Sequence, residues 1–287
     1  MDNYYGKHKT EIIERSKAYA KKNPEKVKAY KQKSYRKNLE NIRQVYKLRN
    51  ETPEGKARLL LHDAKHRSFK IDTTLELTLE DIVEKLQVGC CTITKIPFDF
   101  SREVARNPWT PSLDRVDSKE PYTKDNTQIV CWAYNNLKSD LNPHELEFLL
   151  KRILKIPTDQ CYSDILSLER WSSKLQERKY RQKLTARLAK AKERSLAKGL
   201  DYNLDFEWLL EKVTLGNCEA TQLPFLVGLP GSQNPWGPSP DRIDSKKGYT
   251  KDNIQVVCWA FNRAKGELNK QEFDMVTLSA AKGHGLL

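Results

Sequence analysis

The chain has 287 residues, of which 38% are hydrophobic and 31% charged, and its formal net charge is +13. This length suits one large domain or two small ones, and the basic surplus predicts a polyanionic partner. No apolar run approaches the roughly 18 residues of a membrane span, and charged residues interrupt the region where a signal peptide would stand. We therefore expect no membrane partner, and reduced cysteines in an intracellular protein.

The positive charge is concentrated in two segments. Residues 1–56 carry 16 basic and 7 acidic residues, and residues 164–200 carry 11 and 4. The first segment is either a helix or arm that lies along phosphates, or a solvated and partly disordered tail. Basic arms on nearly neutral modules favour nucleic acid as the partner. The arm and linker side chains expected to contact it are Lys31, Lys33, Arg36, Arg178, Lys179 and Arg181.

An internal repeat organises most of the chain. At an offset of 127, Cys91 aligns with Cys218 and Asp114 with Asp241, and 22 of the 34 positions in 107–140 match their partners. Agreement of this length without gaps indicates that one module has been duplicated. The predicted parts are a basic helical or partly disordered arm (1–56), a first module (57–157), a basic helical linker (158–200) and a second module (201–287).

The sequence of each module predicts the same helices and strands in the same order. Since helices and strands occur together in both, the predicted fold class is α+β. A basic helix ("LLLHDAKHRSFK", "RLAKAKERSLAKG") precedes a short acidic and apolar helix ("TLEDIVEKL", "DFEWLLEKV"). A strand around D-R-V-D or D-R-I-D, a turn, and a second strand that passes into a helix follow. A last helix closes each module, with Asn142 as the N-cap in the first. Gly248 replaces Pro121 in the turn, which predicts a positive φ there.

The strand, turn, strand and helix place one Asp and one Asn in the pattern of a metal-dependent nuclease site. Cleavage of a phosphodiester needs a hard divalent cation to neutralise charge on the scissile phosphate and on the leaving oxygen. Such a cation prefers oxygen ligands, which a carboxylate on the strand and an amide carbonyl on the helix would supply.

The motifs S-L-D-R-V-D and S-P-D-R-I-D, then Y-T-K-D-N, then N-N-L-K or N-R-A-K, resemble the HNH endonucleases of the phage-encoded type. The resemblance covers roughly residues 85–150 and 212–277, and the site spacing is similar to that of the phage resolvase endonuclease VII. It implies two tandem ββα-metal (His-Me finger) modules, and an enzyme that hydrolyses DNA with Mg²⁺ or Mn²⁺.

The resemblance also implies a role for each matching residue. The metal ligands would be Asp114, Asn135, Asp241 and Asn262. The residues that brace the loop between the strands would be Asn126 and Asn253. One helical turn after the Asn ligands, Lys138 and Lys265 would contact phosphate.

The chain departs from the family at two points. The usual catalytic His is replaced by Arg115 and Arg242, which can bind phosphate or stabilise the transition state but cannot act as a base. Either Asp117 and Asp244 or a metal-bound water acting with solvent would take that role. Each module also keeps only two of the four zinc-binding cysteines of many family members, and two thiolates are too few for structural zinc. We expect buried thiols, with Trp132 and Trp259 replacing the metal.

Two other functions fit the same sequence. The duplicated fold could be a non-catalytic DNA-binding scaffold, or the nuclease could act on RNA. The resemblance favours double-stranded or branched DNA as the partner, a monomer with an internal pseudo-twofold axis, and a phage- or virus-encoded protein acting in the host cytoplasm. The second module is the better match to the family.

Overall fold

The computed structural model describes residues 4–70, 72–101, 107–160, 174–214, 216–226 and 234–287. The chain divides into two compact units, Met1–Thr52 and Pro53–Leu287. Helices and two small antiparallel sheets occur together in the second unit, so the fold is mixed α+β as predicted. The boundary predicted after residue 56 lies inside a helix that begins at Pro53.

Residues 1–52 contain two consecutive helices, α1 (Tyr4–Lys22) and α2 (Pro24–Asn50). The helices separate at Asn23 because Pro24 has no N–H to donate and fits only the first turn of a helix. The side chains of Lys31, Lys33 and Arg36 are exposed, as are Tyr19, Tyr30 and Tyr35. Among the described side chains of these two helices, none is buried. No described helix of the chain is long and apolar enough to cross a membrane.

The second unit contains the same series of elements twice. The first series is α3 (Pro53–Lys70), α4 (Leu79–Gln87), β1 (Pro111–Arg115), β2 (Thr127–Cys131), α5 (Trp132–Lys138) and α6 (Pro143–Ile153). The second is α7 (Lys174–Ala197), α8 (Phe206–Thr214), β3 (Pro238–Arg242), β4 (Ile254–Cys258), α9 (Trp259–Lys265) and α10 (Lys270–Gly283). From α4 and α8 onward, equivalent elements begin 127 residues apart.

Each copy forms one antiparallel pair of strands, β1 with β2 and β3 with β4. The register places Asp114 opposite Gln128 and Asp241 opposite Gln255. Helices α5 and α9 begin at the residue directly after each second strand, and they pack against β1 and β3. This direct junction brings helix side chains beside the D-R motif of the first strand.

The last helix of each copy, α6 or α10, is capped at its N-terminus by a side chain. Asn142 accepts a hydrogen bond from the Glu145 backbone, while the Glu145 side chain accepts one from the Asn142 backbone. Asn269 and Glu272 repeat this capping box. The predicted N-cap at Asn142 is confirmed, and these bonds satisfy N–H groups that have no partner within the helix.

The two copies pack against each other through equivalent helices, α5 against α9 and α6 against α10. The Asn136 amide donates a hydrogen bond to the carbonyl oxygen of Arg263, and these two residues are equivalent at an offset of 127. Equivalent residues and equivalent helices of the two copies therefore meet at this interface, which is compatible with the predicted internal pseudo-twofold axis.

Aromatic contacts complete this interface between the copies. The ring of Phe148 on α6 meets Trp236 of the second copy edge to face, with centroids 5.7 Å apart. The Tyr134 hydroxyl lies 3.0 Å from Nε2 of His284, just after α10. The larger hydrophobic cluster therefore spans both copies, while a second cluster lies within the first copy between α3, α4 and the strands.

The turn of the second copy corrects one expectation. Gly248 does not adopt a positive φ. A Cβ atom at this position would lie 2.0 Å from the carbonyl oxygen of Asp201. Glycine is therefore needed because another backbone segment approaches closely, not because the turn is left-handed.

Candidate functional site

Two cavities lie beside the α5–α9 contact, one for each copy. The cavity of the first copy has a volume of about 370 Å³ and contains Asp114, Arg115 and Asn135. The cavity of the second copy has a volume of about 840 Å³ and contains their equivalents, Asp241, Arg242 and Asn262. The residues that both cavities share are Trp132, Asn136 and Arg263. The two cavities are therefore neighbours separated by a common wall.

Asp114 is buried at the centre of a hydrogen-bonded cluster. The Lys138 ammonium lies 2.8 Å from Oδ1 and 3.1 Å from Oδ2 of Asp114, and it also donates to the carbonyl oxygen of Arg115. The Gln128 amide donates to Oδ2 at 2.8 Å. These partners compensate the loss of hydration of the buried carboxylate.

The second copy repeats the cluster with slightly longer contacts. The Lys265 ammonium lies 3.2 Å from Oδ1 and 3.0 Å from Oδ2 of Asp241, and Gln255 donates to Oδ2 at 2.8 Å. Burial raises the pKa of Asp241, while Lys265, Gln255 and Arg242 oppose that rise. A lysine and a glutamine thus hold the carboxylate in both copies.

The positions of Lys138 and Lys265 differ from the phosphate contacts that were predicted for them. The Lys138 side chain is only 8% exposed, and its three N–H groups are directed at Asp114 and the backbone of Arg115. Lys265 bonds Asp241 and the carbonyl oxygen of Arg242 in the same way. Residues three apart on a helix share a face. Each lysine therefore lies on the same face as the Asn three residues before it, Asn135 or Asn262, and reaches the carboxylate from there.

The helix Asn of each copy is oriented by the first strand. The Asn135 amide nitrogen donates to Ser112 Oγ at 2.8 Å and to the Leu113 carbonyl oxygen at 3.0 Å. Asn262 makes the equivalent bonds to Ser239 and Pro240. With the nitrogen turned toward the strand, the amide oxygen is the atom that a ligand in the cavity could use.

The arginines of the D-R motif are held over aromatic rings. The Arg115 guanidinium donates to the Glu120 carbonyl oxygen at 3.1 Å, and its carbon lies 5.0 Å from the centre of the Tyr122 ring. Arg242 makes the same contacts with Lys247 and Tyr249, at 3.0 and 5.0 Å. Both guanidinium groups are thus fixed beside the cavity, which suits them for binding an anion.

The proposed general bases lie on the turns rather than in the cavities. Asp117 Oδ1 accepts a hydrogen bond from the Lys119 backbone, and Asp244 does so from Lys246. Neither carboxylate lines either described cavity. Asp117 follows the inward-facing Asp114 by three residues, beyond the end of β1, so its side chain closes the turn instead.

The loop-bracing asparagines hold these same turns. The Asn126 side chain bonds the backbone N–H and carbonyl of Asp117 and the carbonyl of Pro121. Asn253 bonds Asp244 and Gly248 in the same three ways. These contacts fix the path of the chain between the paired strands.

Three pairs of residues near the carboxylates were missed by the sequence reasoning. The glutamines that orient the carboxylates are Gln128 and Gln255, the additional cavity arginines are Arg67 and Arg194, and the additional cavity carboxylates are Asp140 and Glu267. Each pair is separated by 127 residues and keeps its chemical character. Comparing the two copies position by position would therefore have found them.

Two cysteines of each copy are buried as a pair. Cys91 and Cys131 are fully buried in the first copy, and Cys218 and Cys258 in the second. Hydrogen bonding between the thiols lowers the pKa of Cys91 and raises that of Cys131. Tyr134 and Phe261 pack in the same cluster as these cysteines, whereas Trp132 and Trp259, expected to fill this place, line the cavities instead.

The donor atoms around each cavity suit a hard cation. One carboxylate and one amide oxygen are ligands that Mg²⁺ and Mn²⁺ accept, with other positions left for water or phosphate. A cation would share the carboxylate with the lysine, which already neutralises it. Among the described residues, no three His, Cys, Asp or Glu side chains form a group that could hold a metal.

The remaining predicted nucleic-acid contacts belong to the two basic segments. Lys31, Lys33 and Arg36 belong to α2 in the first unit. The Arg181 guanidinium lies over the ring of Phe206, 5.9 Å from its centre. The side chains of Arg178 and Lys179 lie outside the described part of the structure.

Comparisons with protein-family models, with curated proteins and with solved structures found no match to this chain.

Proposed function

We propose that the chain is a metal-dependent DNA endonuclease of the HNH type, with two tandem ββα-metal modules in one chain and basic helical arms. The observation that carries the proposal is the convergence of an Asp, an Asn and an Arg on one cavity, repeated in both copies. A buried ion pair that served only stability would not require the Asn and the Arg at equivalent positions twice.

In this proposal Asp114 and Asn135 hold Mg²⁺ or Mn²⁺ in the first copy, and Asp241 and Asn262 do so in the second. The cation would neutralise charge on the scissile phosphate and on the leaving oxygen. Arg115 binds a phosphate oxygen, since Tyr122 and the Glu120 carbonyl already fix its guanidinium.

The general base is better assigned to a carboxylate that lines the cavity. Asp140 lines the first cavity and its equivalent Glu267 lines the second, whereas Asp117 and Asp244 bond the turns. A base must lie within hydrogen-bond reach of the proton that it removes, directly or through one water. We therefore transfer this role from Asp117 and Asp244 to Asp140 and Glu267.

One observation favours a second candidate, a non-catalytic DNA-binding protein on the same duplicated scaffold. Lys138 and Lys265 already neutralise the two carboxylates that would hold a cation. In a scaffold of this kind, the Asp and Lys would be a structural pair, and the arginines alone would contact phosphate.

Cleavage of supercoiled plasmid with Mg²⁺ or Mn²⁺, against an EDTA control, separates the two candidates. The double variant Asp114→Asn/Asp241→Asn keeps the side-chain shape but leaves Lys138 and Lys265 without their carboxylates, so its fold is checked by circular dichroism. In the folded variant, cleavage should be abolished while DNA binding remains. The control Asp117→Asn/Asp244→Asn should still cleave. Tight DNA binding by a wild-type chain that cleaves with neither metal would establish the scaffold and rule out the enzyme.

The time course reports how many copies are active. Early linear product without a build-up of nicked circles means that both cavities cut in one encounter. Accumulating nicked circles mean that a single copy is active, and the single variants Asp114→Asn and Asp241→Asn identify it.

A further inference from the structure

Each cavity receives a second arginine from the helix that precedes the strands. Arg67 lies in the last turn of α3, and its guanidinium carbon is 5.4 Å from the centre of the Tyr122 ring. Arg115 lies over the same ring at 5.0 Å. Two guanidinium groups therefore lie over one aromatic ring, and both line the first cavity. Two arginines that line one cavity favour the binding of an anion there.

The second copy keeps the arginine although the surrounding helix has diverged. Arg194 on α7 is the equivalent of Arg67, and it lines the second cavity together with Arg242. The inward-facing residues that match between these helices, such as Ala64 and Ala191, are buried and serve packing. Arg67 and Arg194 are exposed, so packing does not account for their retention.

The second cavity is both larger and more basic than the first. The described lining of the first contains three arginines and two acidic residues. That of the second contains five basic and two acidic residues, because α7 also contributes Arg187 and Lys190. The equivalents of these two residues on α3 are Leu60 and Asp63. The second cavity therefore attracts a polyanion more strongly.

We propose that Arg67 with Arg115, and Arg194 with Arg242, are two-arginine clamps for the phosphates of a DNA backbone, and that the clamp of the second copy binds more tightly. This inference rests on the proposed function for the identity of its ligand. Two guanidinium groups on different elements can contact two oxygens of one phosphate or two successive phosphates. The shared wall at Trp132, Asn136 and Arg263 lets a single DNA molecule reach both clamps.

The test measures binding of a short fluorescein-labelled DNA duplex by anisotropy in EDTA, over a salt series from about 50 to 200 mM. We compare Arg67→Ala and Arg194→Ala with the matched controls Lys65→Ala and Lys192→Ala. Lys65 and Lys192 are also exposed, basic and equivalent between the copies, but neither lines a described cavity.

We expect each arginine variant to weaken binding by roughly 3- to 10-fold and to reduce the salt slope by about 1, with the larger loss for Arg194→Ala. The lysine controls should lose less than half as much. Arginine variants that behave like their lysine controls would overturn the clamp. A larger loss for Arg67→Ala would overturn the ranking of the cavities.

Failure of the clamp and failure of the proposed enzyme give different results. Normal binding by the arginine variants of a chain that cleaves plasmid overturns the clamp and leaves the endonuclease. Weakened binding by those variants, in a chain that cleaves with neither Mg²⁺ nor Mn²⁺, supports the clamp and removes the endonuclease.

Discussion

At the scale of single residues, the pairing of Lys138 with Asp114 leads to predictions for folding and for the proposed cation binding. Both side chains are at least nine-tenths buried, so removal of one leaves an uncompensated charge inside the protein. Lys138→Met should lower the free energy of unfolding by about 3–5 kcal/mol, and the double variant Asp114→Asn/Lys138→Met should recover part of the loss. Equilibrium denaturation measures both values.

The same variant tests the metal ligands without any assay of activity. A cation that binds Asp114 would replace the missing ammonium, so Mn²⁺ should restore the stability of Lys138→Met as its concentration rises. The double variant lacks the carboxylate and should not respond. A melting temperature of Lys138→Met that is independent of Mn²⁺ would argue against Asp114 as a metal ligand.

A second residue-scale prediction concerns the general base. Asp140→Asn/Glu267→Gln should lower the single-turnover cleavage rate by about 10²- to 10⁴-fold, because a positioned base would be lost. DNA affinity in EDTA should stay unchanged. Asp117→Asn/Asp244→Asn keeps an oxygen to accept the turn hydrogen bond and should cleave nearly as the wild type does. The reverse ranking of the two double variants would return the role to Asp117 and Asp244.

At the scale of elements, the turn between β3 and β4 needs glycine for space. A methyl group on residue 248 would meet the backbone of Asp201, so Gly248→Ala should destabilise the protein by about 1–3 kcal/mol. In the first copy, Pro121→Gly should cost only about 0.4–1 kcal/mol, through greater freedom of the unfolded chain. Denaturant midpoints of the two variants check the contrast, and a neutral Gly248→Ala would show that the two segments can separate cheaply.

The sequence predicted the elements better than it predicted their contacts. The apolar run before Trp132 and the cap at Asn142 are local signals, and both elements formed where expected. The direction of Lys138 was missed because it depends on how closely α5 approaches β1, which no local pattern encodes. The close approach of Asp201 to Gly248 is likewise set by packing between elements distant in sequence.

At the scale of the whole molecule, the interface between the copies makes the second unit a single cooperative body. The larger hydrophobic cluster extends through both copies, and Phe148 of the first packs against Trp236 of the second. Under the proposed function, two equivalent sites within one unit would let a single chain cut both strands of a DNA duplex without a second subunit.

The first unit should contribute affinity without contributing stability to the second. Residues 1–52 carry 15 basic and 6 acidic residues and form a compact unit of their own. A chain of residues 53–287 should therefore unfold at the same temperature as the full chain. Its affinity for a DNA duplex should fall, and its salt slope should decrease by roughly 0.9 for each phosphate that the arm no longer neutralises. Calorimetry and anisotropy measure these two quantities. A full chain with Lys31, Lys33 and Arg36 changed to Ala should show part of the same loss, and an unaltered salt slope in both variants would mean that the arm does not bind DNA.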